Sequence, residues 1–231
     1  MQQFDLPVRS KPIELSVSTE GQTYALFALA MGLTVVGAII GAQYAAAIFS
    51  AGLQFILLFA QLGLVFTARW WVEKTPLNYI LFGLFPVFSG IAITPFISTV
   101  VIGYSNGPTI LINALAATGF MAAAAAVFAR ATSWNLGVMS RGLFFALLGL
   151  IAMALLQIFI PSLRTQQFEL LISGAGVVIF ALFTAFDMQR VQRLGKVGVS
   201  PFMLALSLYL DIFNLFLYLL RFMLVLSGDR R

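Results

Sequence analysis

Two long stretches without charge limit what this chain can become. No Asp, Glu, Lys or Arg occurs across residues 21–68, and none across residues 75–129. A crossing of a bilayer's hydrocarbon core takes about 20 apolar residues in a helix. Forty-eight charge-free residues are too many for one crossing and suit two joined by a tight connection near Gln43 and Tyr44. Arg69, Glu73 and Lys74 close that first hairpin. The second stretch is again a pair, divided at the turn signal Gly103-Tyr-Ser-Asn-Gly-Pro108.

Composition agrees. The 231 residues are 61% hydrophobic and 9% charged, where a soluble domain carries about 25% charged residues. Lipid offers the backbone no hydrogen bonds, so spanning elements are helices or a closed barrel. A barrel reads as short alternating segments of about ten residues. The continuous apolar runs here specify an all-α integral membrane protein. The net charge of +5 could suggest nucleic acid, but the basic residues sit in short loops between apolar runs, and no nucleic-acid partner is expected. Cysteine and histidine are both absent, which removes disulfides, thiolate metal sites and the usual pH switch. Proton chemistry falls to the eight carboxylates.

The remaining crossings follow. Residues 1–20 form a polar N-terminal tail with Pro7 and Pro12 and no apolar core, unlike a signal peptide. A fifth crossing covers about residues 142–160 and stops at Pro161, a sixth covers 168–186, and a seventh covers 201–226. The expected organisation is a seven-helix domain over residues 21–227 with a short tail at 228–231. With the N-terminus inside, nine basic residues (Arg9, Lys11, Arg69, Lys74, Arg130, Arg141, Arg190, Arg193, Lys196) lie on the cytoplasmic side. Four (Arg164, Arg221, Arg230, Arg231) lie outside or near the outer end. That asymmetry favours N-in and C-out, with the basic C-terminus as the dissenting feature. Gly37 and Gly41 form a GxxxG step, and residues 122–126 are all alanine, both read as helix-packing surfaces. Pro86 and Pro95 fall within the third crossing and predict kinks there.

Asp211 is the charge out of place. Fourteen uncharged residues precede it and nine follow. A carboxylate at mid-helix costs roughly 2.5–3.5 kcal/mol on insertion scales, so it should face the bundle interior and be paired or protonated. Ser207 and Asn214 stand four residues before and three after, giving the helix a polar stripe. A purely structural anchor would look the same. Asp187 closes the sixth crossing on the predicted cytoplasmic side, while Asp211 lies about 15 Å into the seventh. Spacing leaves open whether the two meet. Meeting, they could not both ionise cheaply and would titrate as a unit. Their hard oxygens suit Ca²⁺, but six or more are usually needed, so such a metal site is weak or transient. Arg69, beside Trp70 and Trp71, reads either as an interfacial anchor or as a counter-ion to the aspartates.

The segment Leu206-Ser-Leu-Tyr-Leu-Asp-Ile-Phe-Asn-Leu-Phe-Leu-Tyr-Leu-Leu-Arg221, preceded by Phe186-Asp-Met-Gln189, resembles the signature of the Bax inhibitor family (transmembrane Bax inhibitor motif proteins). Ser89-Gly-Ile-Ala-Ile-Thr-Pro-Phe96 fits it less specifically, and the likeness covers about residues 20–227. The resemblance implies seven transmembrane helices with the last one central and surrounded by the other six. It further implies a pH-sensitive calcium leak gated by paired aspartates, matched here by Asp187 and Asp211, with Arg69 matching an arginine partner by position. Phe186 departs from the tyrosine of many members. No charged cytosolic tail or long Pro-rich N-terminus is present, which points to a bacterial inner membrane.

The expected function is therefore a pH-sensitive, calcium-permeable leak channel or transporter, with the bilayer, calcium and protons as its partners. No tightly bound cofactor is expected, and calcium is the permeant ion. The alternative is a membrane regulator that binds another membrane protein, a protease or cell-death regulator. An intramembrane aspartyl protease also needs two aspartates, but its Gly-x-Gly-Asp and Tyr-Asp motifs are absent, so no enzyme is expected.

Overall fold

The computed structural model describes residues 18–50, 52–194 and 199–228. Most of the N-terminal tail, Lys196 and the last three residues lie outside them. Among the described residues the chain is nearly all helix, without strands. It runs α1 (Thr19–Gln43), α2 (Ala45–Ser50), α3 (Leu53–Phe66), α4 (Ala68–Trp71), α5 (Leu77–Gly103), α6 (Gly107–Ala131), α7 (Ser140–Phe159), α8 (Gln166–Leu194) and α9 (Pro201–Ser227). Sequence chemistry sets the ends. The Ser18 hydroxyl accepts from Gly21 N at 3.1 Å and caps α1. Pro201, with no N–H to satisfy, opens α9.

Six helices (α1, α5, α6, α8, α9 and Leu136–Phe159, which contains α7) are long and apolar enough to cross a bilayer. The expected second crossing is instead divided. Gly52 adopts φ +69°, a left-handed conformation open to glycine, and separates α2 from the fourteen-residue α3. At 1.5 Å per residue α3 spans about 21 Å, short of a hydrocarbon core of about 30 Å. The two proline-bearing turns behave differently: α5 runs through Pro86 and Pro95 without ending.

Polar contacts place the helix ends. At one end of the bundle Arg130 meets Glu20, the Gln189 side chain meets the 134–136 backbone, and Ser200 Oγ donates to Val72 O at 3.2 Å. At the other, Gln166 reaches Val225 O, and Arg221 reaches Glu169 and Gln157. The start of α1 and the end of α9 thus lie at opposite ends.

More of α9 is buried than of any other span. It supplies Ala205 and Tyr209 to a cluster with α1, α4 and α5, and Phe216 and Leu220 to one with α5 and α6. Leu215 and Leu219 join a cluster with α7 and α8, and Leu208 and Ile212 join one with α6 and α8. Its broad contacts are with α8, α1 and α6, whereas α3 packs chiefly on α5 and α7 on α8. The ring around the last helix is therefore uneven rather than six equal neighbours.

The tightest pairing is α1 with α5. A Cβ on Gly37 would strike the Val87 carbonyl, one on Gly41 the Thr94 side chain, and one on Gly90 the backbone of Thr34 to Ala38. Thr94 Oγ1 also donates to Ala38 O at 3.3 Å across the seam. Lipid tails are as apolar as leucine, so close backbone approach, not apolar burial, holds such a seam. Gly90→Leu should therefore lower stability by about 1–3 kcal/mol or prevent folding. Gly32→Leu, at a site with nothing within 4 Å, should be tolerated. Thermal unfolding in detergent measures both, and equal melting of the two variants would contradict the close-approach account.

Candidate functional site

The polar positions of α9 recur at steps of four and three: Ser207, Asp211, Asn214, Tyr218 and Arg221. That spacing puts them on one face along most of the helix. Four of them, Ser207 to Tyr218, line a cavity of about 470 Å³ whose opposite wall holds Asp187, Phe183 and Phe180 of α8 and Leu147 of α7. A neighbouring cavity of about 390 Å³ is lined by Asn214, Tyr218 and Arg221 with Phe96. Asn214 and Tyr218 border both spaces, so polar side chains connect them along the stripe.

Asp187 is 3% and Asp211 8% exposed. The expectation that Asp187 ends its helix is corrected, because α8 continues for two turns to Leu194. Met188, Gln189 and Val191 in that extension are buried, and their packing carries the helix past the charges. Asp187 then lies about 10 Å from the end of α8, near the depth of Asp211 in α9. The carboxyl groups stand side by side, with Ser207 and Arg190 as the other polar neighbours of Asp187. Arg190 Nη1 lies 3.6 Å from Asp187 Oδ1, an ion pair too long for a good hydrogen bond. Oδ2 of each aspartate is buried without a hydrogen-bond partner among the described residues. Asn214 Nδ2 donates to Leu210 O at 2.7 Å.

Sequence reasoning named Asp187, Asp211, Ser207 and Asn214, and the structure brings these four together around one cavity. Arg69 is not among them. It is exposed on α4 and has no ion pair among the described residues. Arg190, one turn past Asp187, takes the place expected for it, since a neighbour at i+3 needs no tertiary placement. That spacing was visible in the sequence. Among the described residues no three acidic, imidazole or thiol side chains converge. The aspartate pair thus offers only part of a cation's coordination shell.

The stripe ends in a clamp joining α7, α8 and α9. Glu169 Oε1 accepts from Gln157 Nε2 at 2.7 Å and Glu169 Oε2 from Arg221 Nε at 2.7 Å, while Arg221 Nη2 donates to Gln157 Oε1 at 3.2 Å. Arg164 Nε adds a bond to Gln157 O at 2.7 Å. Sequence reading placed Arg221 near the outer end but missed its partners, because Glu169 and Gln157 lie 52 and 64 residues away. Gln189 is a second omission. Its amide accepts from Leu136 N at 2.9 Å and donates to Trp134 O at 2.9 Å, fastening the loop before α7 to α8.

Both features are testable as stability terms. Gln189→Leu strands two backbone groups and should cost about 1–3 kcal/mol. A double-mutant cycle on Glu169→Gln and Arg221→Gln should give a coupling of about 0.5–3 kcal/mol. Additive melting shifts in that cycle would contradict the clamp.

The site belongs to a recognisable group of proteins. The family model described as inhibitor of apoptosis-promoting Bax1 matches residues 19–228. An uncharacterized protein of Campylobacter jejuni is 34% identical over 219 residues, covering 92% of each chain. One from Deinococcus radiodurans is 31% identical and covers 95% of each. The Escherichia coli inner membrane protein YbhL is 27% identical, covering 76% of this chain and 74% of its own. A nearly complete family match and full-length relatives of this similarity show that this integral membrane protein belongs to the Bax inhibitor family.

Proposed function

We propose that this chain is a pH-sensitive, calcium-permeable leak channel or transporter of a bacterial inner membrane, gated by Asp187 and Asp211. The observation that carries the reading is the pair itself: two buried carboxyls on neighbouring helices, each with one unpartnered oxygen, bordering a cavity within an apolar bundle. Two negative charges so placed repel strongly, whereas one shared proton relieves them. Arg190 is the neighbouring cation, and the Tyr218 phenol also lines the space. Proton loss would leave a second charge to be met by a passing cation, by Arg190 or by water. Calcium follows from family membership and from the hard oxygens of the two aspartates.

The inner-membrane location is suggested by YbhL, and the N-in, C-out orientation by the basic loops. In that orientation the aspartates sit towards the cytoplasm, and the Arg221–Glu169–Gln157 clamp closes the outer end of the same stripe. Asp187→Asn or Asp211→Asn should change the pH dependence of calcium entry into dye-loaded proteoliposomes over about pH 5–8, with the fold intact. Glu169→Gln should raise flux by roughly 5- to 30-fold, the effect of losing about 1–2 kcal/mol from the closed state, with the pH profile retained. A wild-type pH profile in both aspartate variants would refute the sensor. No flux at any pH from folded protein would instead favour a regulator acting through another membrane protein.

A further inference from the structure

A cavity larger than the one at the aspartates lies elsewhere in the bundle. A groove of about 680 Å³ runs between α1 and α6, with Ile212, Phe213 and Phe216 of α9 at its floor. On α1 its wall extends from Phe27 to Ala42, about 22 Å of helix. On α6 small residues, among them Gly119, Ala122 and Ala126, form the facing wall. The two hydroxyls in the lining are already bonded within the protein: Thr118 Oγ1 donates to Ala114 O at 2.7 Å, and Thr34 Oγ1 to Ala30 O at 2.9 Å. The groove therefore accepts hydrocarbon and nothing polar, and its helices place its mouth in the bilayer.

One turn beyond the groove, at the start of α1, the chemistry reverses. Glu20, Tyr24, Arg130 and Gln192 gather there. Arg130 Nη2 bonds Glu20 Oε1 at 2.5 Å, using one of the guanidinium's five N–H donors. The Tyr24 hydroxyl donates to the Met188 sulfur at 3.8 Å, and Met188 itself lines the groove. Gln192 Nε2 is buried beside the Tyr24 hydroxyl, without a close hydrogen bond among the described residues. The guanidinium's remaining donors and the Gln192 amide suit a phosphate, and the Tyr24 hydroxyl can turn from the weakly accepting Met188 sulfur to join them. The neighbouring Glu20 makes the cluster neutral and supplies acceptors for an ammonium.

The geometry points to a phospholipid site: an acyl chain in the α1–α6 groove, with a headgroup carrying a phosphate and a primary ammonium held by Arg130, Gln192, Tyr24 and Glu20. Charge complementarity selects this occupant. An anionic headgroup would face Glu20 without an ammonium to meet it, and a trimethylated one could not donate hydrogen bonds to it. Hydrocarbon on one side of the cluster and donors at the membrane surface reproduce the polarity of such a lipid. This inference does not depend on calcium conduction.

Native mass spectrometry of the purified full-length chain, incubated with equal amounts of phosphatidylethanolamine, phosphatidylglycerol and phosphatidylcholine, tests it. The wild type should retain one lipid, with phosphatidylethanolamine preferred over each of the others about fivefold or more. Gly119→Phe should lower that occupancy at least tenfold, since a side chain there meets nothing within 4 Å and projects into open space. Ala123→Phe on the same wall serves as a second filling variant, and helical content and melting temperature report the fold of both. Arg130→Gln should weaken retention of all three lipids, and Glu20→Gln should erase the preference for phosphatidylethanolamine. Undiminished lipid on folded Gly119→Phe and Ala123→Phe, no headgroup preference in the wild type, or a dimer that the filling variants dissociate would each overturn the proposal.

Discussion

Hydrocarbon cannot solvate a polar side chain, and α9 carries one at nearly every turn. Ser207, Asp211, Asn214, Tyr218 and Arg221 share one face, and Tyr209 looks another way towards Thr34, whose hydroxyl lies 2.8 Å from its own. A helix with polar groups on more than one side has no face suited to lipid. It must be enclosed, and its neighbours must bring partners. Helix α8 brings Asp187 and Glu169, α7 brings Gln157, and α1 brings Thr34. The central position of α9 thus follows from its own polar pattern.

The two sides of α9 are built differently. Towards α1 and α5 the backbones approach at Gly37, Gly41 and Gly90, and large side chains such as Phe82 and Tyr209 fill the space. Thr34, Tyr209, Ser89 and Gln61 extend a polar chain out to α3. Towards α7 and α8 the packing leaves two adjoining cavities beside the stripe. A close-packed seam thus lies on one side of α9 and unfilled space beside polar side chains on the other.

Much of this was legible in the sequence because punctuation in membrane helices is strong. The turn at Gly103 to Pro108, the stop at Pro161 and the start at Pro201 each mark an observed boundary. Asp211 announced itself by isolation within an apolar run. Other features depended on tertiary packing. The last two turns of α8 carry Arg190 and Arg193 and read as a loop, yet buried Met188, Gln189 and Val191 hold them helical. The break at Gly52 is a single left-handed residue within a continuous apolar run, so hydropathy alone ran through it. Arg190 stands at i+3 from Asp187 and needs only the helix to continue, whereas the absence of Arg69 from the pair is set by the fold.

A gate built on Asp187 and Asp211 requires the two carboxyls to titrate as one unit. Infrared titration of the protonated carboxyl stretch in lipid-reconstituted protein measures this directly, comparing the wild type with Asp187→Asn and Asp211→Asn. A coupled pair predicts that removing either aspartate both deletes signal and moves the titration of the one that remains. A remaining aspartate that titrates in each variant as it does in the wild type would show two independent acids and contradict the account.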